Sequence, residues 1–108
     1  MQHLLVRIVA VLLAADSFAC AAMSYESRLS QTQASYRSAL AAGAPAIPWA
    51  KFHLRLAHYE MDVAEVLNAN WEDESAEAML ERAQNDAEIS MRFAQAARGQ
   101  LLAEEDWH

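Results

Sequence analysis

The chain has 108 residues and a formal net charge of −7 at neutral pH, from 15 acidic and 8 basic side chains. A surface of that sign repels a phosphate backbone, so no nucleic-acid partner is expected. Its single cysteine rules out an intramolecular disulfide, and two glycines with two prolines in an alanine-rich sequence favour helix over strand.

The N-terminal segment reads as an export signal. Arg7 supplies a positive start, Ile8 to Ala15 an apolar run, and Ser17-Phe18-Ala19-Cys20-Ala21-Ala22 a window of mostly small residues. Three fates are compatible with it. Cleavage after Ala19 would leave Cys20 first, where a lipoprotein thiol receives its diacylglycerol, although Ser17 and Phe18 depart from the usual residues before that cysteine. Cleavage after Ala21, with Ala19 and Ala21 at −3 and −1, would release a cysteine-free protein. An uncleaved anchor over Leu4 to Met23 must carry Arg7 and Asp16, each costing about 2.5–3.5 kcal/mol near a bilayer centre. Residues 1–19 are therefore assigned to the signal, and residues 20–108 to one helical domain ending in an acidic tail over 99–108. Loss of the signal removes one charge of each sign, Arg7 and Asp16, and leaves the net charge unchanged.

The remaining sequence predicts an all-α fold. A first helix is expected over about 23–42, where Tyr25, Leu29, Thr32, Tyr36 and Leu40 recur at helical spacing. Gly43 stops it, and Ala44-Pro45-Ala46-Ile47-Pro48 forms a stiff connector. Pro48 suits the first turn of a second helix over about 48–70. Trp49, Phe52, Leu56, Tyr59, Val63, Val66 and Leu67 are expected to line its buried side, widened by Leu54, Ala57, Met61 and Ala64. Lys51, Arg55, His58, Asp62 and Glu65 form the solvated strip.

Asn68 to Asp73 forms the next turn, with Asp73 the expected N-cap of a third helix over about 73–98 that Gly99 ends or loosens. Ala76, Met79, Leu80, Ala83, Ala87, Ser90, Met91, Ala94 and Ala97 share one face, small enough for close approach of a neighbour. Arg82 to Asp86 and Glu88 to Arg92 are expected as ion pairs along its outer surface. The short turn makes the second and third helices an antiparallel hairpin, with the first helix completing a three-helix bundle or a second copy completing a hairpin dimer.

This arrangement resembles the bacterial envelope family known as domain of unknown function 4398. The resemblance covers about residues 34–98 and is carried by Ala39-Leu40, Gly43-Ala44-Pro45, His53-Leu54-Arg55-Leu56-Ala57, Leu80-Glu81-Arg82-Ala83 and Asp86-Ala87-Glu88. It implies a small helical domain on an exported, often lipid-anchored protein, and brings no catalytic residues. Some members carry an added peptidoglycan-binding domain; this chain ends soon after the hairpin, so that function is not carried over.

The search for chemistry yields little. His58, Asp62 and Glu65 share a helix face and are the one weak metal candidate; a solvated polar strip explains them more simply. Glu105 and His108 have di-iron spacing but occur once, in a tail. Met61, Met79 and Met91 fall on packing stripes. No nucleophile elbow, phosphate loop or His–Cys pair is present, so no enzyme activity and no cofactor are expected. Glu60 stands out, since the helical pattern places it on the apolar side, where a carboxylate needs a partner such as Arg82 or Arg98, a gap, or a function. Ala78, Ile89 and Ala96 form a second apolar strip on the third helix that the hairpin cannot bury alone. With Glu60 they make up the candidate interaction face. The expectation is an exported, non-enzymatic hairpin on the periplasmic side of a bacterial membrane, held by lipid on Cys20 or free in the periplasm. It would dock an envelope protein or a second copy; the competing expectation is a metal- or small-ligand-binding bundle.

Overall fold

A computed structural model describes residues 24–106. The expected signal, Cys20 and the start of the first helix at Met23 lie outside them. The described residues form three helices, α1 (Tyr25–Ala41), α2 (Pro48–Ala69) and α3 (Asp73–Asp106), with a single 3-10 turn at Ala44–Ala46 between α1 and α2. This is the all-α hairpin with one added helix. No described helix is long and apolar enough to cross a membrane.

Each junction has a local cause. Ser24 caps α1, its hydroxyl accepting from the Ser27 amide at 3.1 Å, with Glu26 at the positive end of the dipole. Gly43 ends α1 at φ +90°, a left-handed geometry that side chains resist. Pro48 opens α2 where no amide is needed. The α2–α3 turn closes when the Trp71 amide donates to Asn68 O at 3.1 Å and the Glu72 amide to Leu67 O at 2.9 Å. Those two bonds are a Schellman cap, and they place Trp71 at φ +61°, where glycine is the usual occupant. Asp73 is the first helical residue of α3 rather than the residue before it.

α3 is the central helix. α2 runs antiparallel along one side and α1 parallel along the other, while α1 and α2 touch each other little. The expected α3 face is observed: Ala76, Leu80, Ala83, Ala87, Ser90 and Ala94 are all buried. α2 differs from expectation. Its buried residues are Ala50, Leu54, Ala57 and Ala64, whereas Trp49, Phe52, Tyr59 and Val66 are 67%, 51%, 66% and 60% exposed. The helix is rotated so that its smallest residues meet α3. α1 is rotated similarly at its end, where Ala39 is buried and Leu40 exposed.

Two hydroxyls fix the register of this thin core. Ser90 Oγ donates to Ala50 O at 2.6 Å, and Thr32 Oγ1 lies 3.3 Å from Leu80 O while also donating to Arg28 O at 2.9 Å. A short side chain reaches a neighbouring backbone only where helices approach closely, which alanine on both surfaces permits. α3 does not stop near residue 98. Gly99 lies inside it, since helical neighbours on both sides propagate the ladder and no left-handed turn or proline follows.

Candidate functional site

The features that stand out chemically lie on the α2–α3 face turned away from α1. Four rings form a ladder across the two helices. Trp49 meets Phe52 edge-on at 6.3 Å, Phe52 meets His53 edge-on at 5.3 Å, and His53 stacks on Phe93 of α3 at 5.8 Å. Behind the ladder is a polar cluster. His53 Nδ1 lies 2.9 Å from Asp86 Oδ1, and both side chains are largely buried. Glu60, two turns along α2 from His53, faces the same Asp86.

Glu60 cannot ionise easily there. Burial, then a hydrogen bond to the Asp86 carboxylate, then repulsion from that charge push its pKa from 4.5 up to about 7; the Arg82 guanidinium opposes the rise. Glu60 Oε1 is buried without a hydrogen-bond partner. The partner is thus an acid with Arg82 behind it, rather than the simple Arg82 or Arg98 pair considered from sequence. Among the described residues Asp86 pairs with His53, and the expected Arg82–Asp86 ion pair is not formed. Arg92 Nε, likewise, donates to the Glu88 carbonyl at 3.4 Å rather than to the carboxylate.

The other interaction-face residues flank this cluster on α3. Ala78 and Ala96 are exposed and Ile89 is half-buried. α1 leaves them open, because it packs on the opposite side of α3 near Leu80 and Met91. His58, Asp62 and Glu65 instead border a separate open groove of about 600 Å³ between α1 and α2. His58 Nδ1 lies 3.4 Å from Asp62 Oδ2, with both side chains more than half exposed. Among the described residues no three His, Cys, Asp or Glu side chains are placed to hold a metal ion. Beside this groove Tyr25 has its hydroxyl buried without a partner, and burial and the nearby Glu65 and Glu26 carboxylates raise its pKa.

Sequence reasoning missed His53 and Asp86 as members of the site. The signal was present in the turn: folding the chain back on itself near Trp71 brings residues 53 and 60 of α2 opposite residues 82–90 of α3. In comparisons with known proteins, no family model, no curated protein and no solved structure matches the chain.

Proposed function

We propose that this chain is a non-enzymatic interaction module of the bacterial cell envelope, exported by its N-terminal segment and tethered by lipid on Cys20. The observation that carries the docking role is the inverted distribution of apolar side chains: alanines fill the inside, while Trp49, Phe52, Tyr59, Val66 and Phe93 stand out in solvent. Monomeric soluble proteins rarely leave large apolar side chains grouped on one face, and such grouping marks a contact surface. The Gly43-Ala44-Pro45 junction is among the sequence features that carry the resemblance to the 4398 family of exported hairpins.

The test is photo-crosslinking in the native envelope from a probe at Tyr59, followed by mass spectrometry, together with fractionation of a Cys20→Ser variant. The expected results are a discrete protein adduct at Tyr59, none from a probe at exposed Glu81 or Gln95, and a shift of Cys20→Ser from membrane to soluble fraction. A wild-type protein already soluble and starting at Ala22 would overturn the lipid anchor. Equal crosslinking from every exposed position would overturn the docking face.

A further inference from the structure

The outer residues of α2 are spaced as one uninterrupted heptad seam. Trp49, Phe52, Leu56, Tyr59, Val63 and Val66 are separated by three, four, three, four and three residues. Trp49, Phe52, Tyr59 and Val66 are exposed and Leu56 and Val63 half-buried, so none is fully buried. The spacing is that of a two-helix coiled coil, in which such residues meet those of a facing helix. At 1.5 Å per residue the seam is about 26 Å long.

We infer that this seam pairs with the same seam of a second copy of the chain, antiparallel, with the two α2 helices at the two-fold axis. The inference rests on the docking role proposed above and names its occupant. Two independent observations select an antiparallel copy. The first is volume. The seam tapers from Trp49 and Phe52 at one end to Val63 and Val66 at the other. An antiparallel copy sets Trp49 against the partner's Val66, Phe52 against the partner's Val63, and Leu56 against the partner's Tyr59. Each layer then pairs a large side chain with a smaller one. A parallel copy would crowd rings at one end and leave the other underfilled.

The second is charge order. The exposed row flanking the seam carries Arg55 and, one heptad on, Asp62. Reversing a copy brings Arg55 beside the partner's Asp62, and Asp62 beside the partner's Arg55, so the flank is self-complementary. The opposite flank, His53 and Glu60, is already engaged with Asp86 of the same chain. Orientation therefore falls to the Arg55 and Asp62 row, where Asp62, among the described residues, meets only His58, at 3.4 Å with both side chains more than half exposed. A chain of net charge −7 can pair with itself here because the contact surface carries charges of both signs.

The test is sedimentation equilibrium of the full chain in density-matched detergent, with helicity and thermal midpoint followed on the same samples. Wild type is expected to dimerise. Arg55→Glu, which sets like charges together twice per dimer, should weaken it about tenfold. Arg55→Glu combined with Asp62→Arg should return the dimer to within about threefold of wild type. Both positions are exposed, so the folded monomer should melt unchanged in each variant. A chain monomeric at every concentration, a dimer indifferent to Arg55→Glu, or a double variant without rescue would overturn the inference. If the dimer fails while Tyr59 still crosslinks to another envelope protein, the second copy is wrong and the docking module stands. If neither appears, both readings fall.

Discussion

The inner and outer faces of α2 are built from opposite kinds of residue. Inside, Ala50, Ala57 and Ala64 sit against the alanines of α3, and the largest side chain fully buried anywhere in the described fold is Leu80. Outside, within the same helix, stand a tryptophan, a phenylalanine and a tyrosine. The inner face determines how near the helices come, and the outer face holds the apolar area that remains. The difference shows that hydrophobic size and burial are separable. Where two helices must nearly touch, the methyl group wins the interior and the large rings are displaced to wherever a second surface can meet them.

The sharpest way to break this contrast is at its largest fully buried side chain. Leu80→Ala should cost about 3 kcal/mol in chemical denaturation, because close-packed alanines cannot collapse into the space. Ala83→Leu should cost about 2 kcal/mol through overpacking, while Ala78→Leu on the exposed strip stays within about 0.5 kcal/mol. Equal effects at positions 83 and 78 would mean that the seam is not where the close approach occurs.

The carboxyl pair between the two faces gives a pH-dependent effect. The Glu60 proton is bound more tightly in the folded chain than in the unfolded one, whose value is near 4.5. The stability it contributes is fully present below pH 4.5 and is lost as pH rises through about 7. Glu60→Gln keeps a donor toward Asp86 and removes the titration. It should therefore stabilise the fold by about 1 kcal/mol at pH 8, discounted for partial exposure, and leave it unchanged at pH 4. A wild-type denaturation midpoint constant from pH 4 to pH 8 would show that the two carboxyls do not share a proton.

Much of the fold is legible in the sequence, and the error on α2 has a physical origin. The α3 face was readable because small residues repeat at helical spacing from Ala76 to Ala94 and nothing larger competes with them. On α2 the same rule was masked. Ala50, Ala57 and Ala64 recur every seven residues, but weighting by hydrophobicity gives the inside to Trp49, Phe52 and Tyr59. Consistency with α3 would have reversed that choice, since an alanine surface reaches full contact only with another surface equally small. The carboxyl cluster was half-legible: Glu60 drew notice by its position, whereas its partners lie across the hairpin and need the register of the turn. Gly99 misled because its usual role as a stop requires a left-handed residue, and here it is an ordinary helical one.

Smaller effects refine the comparison. Trp71→Gly should stabilise by about 0.5 kcal/mol, the relief of left-handed strain outweighing the freer unfolded chain. That gain, read from the thermal midpoint, should come without loss of contacts, because Trp71 is 89% exposed. Tyr59→Ser should move the stability of the isolated chain by less than about 0.5 kcal/mol, yet abolish crosslinks from a probe placed at Val66. A large loss of stability at Tyr59 would mean that the outer face is packed within the monomer.

An interior made of methyl groups also governs how the chain responds to heat and denaturant. Unfolding increases heat capacity mainly by wetting apolar area, and the denaturant slope follows the same newly wetted surface. Here the rings that would supply most of that area are already in water, and each buried alanine adds little. The isolated chain should unfold with a heat-capacity increment below the usual ~12–15 cal/mol/K per residue and with a shallow denaturant slope. Its stability curve against temperature should accordingly be broad and flat. Covering the outer rings would steepen both responses, so calorimetry alone reports whether that face is wet or dry.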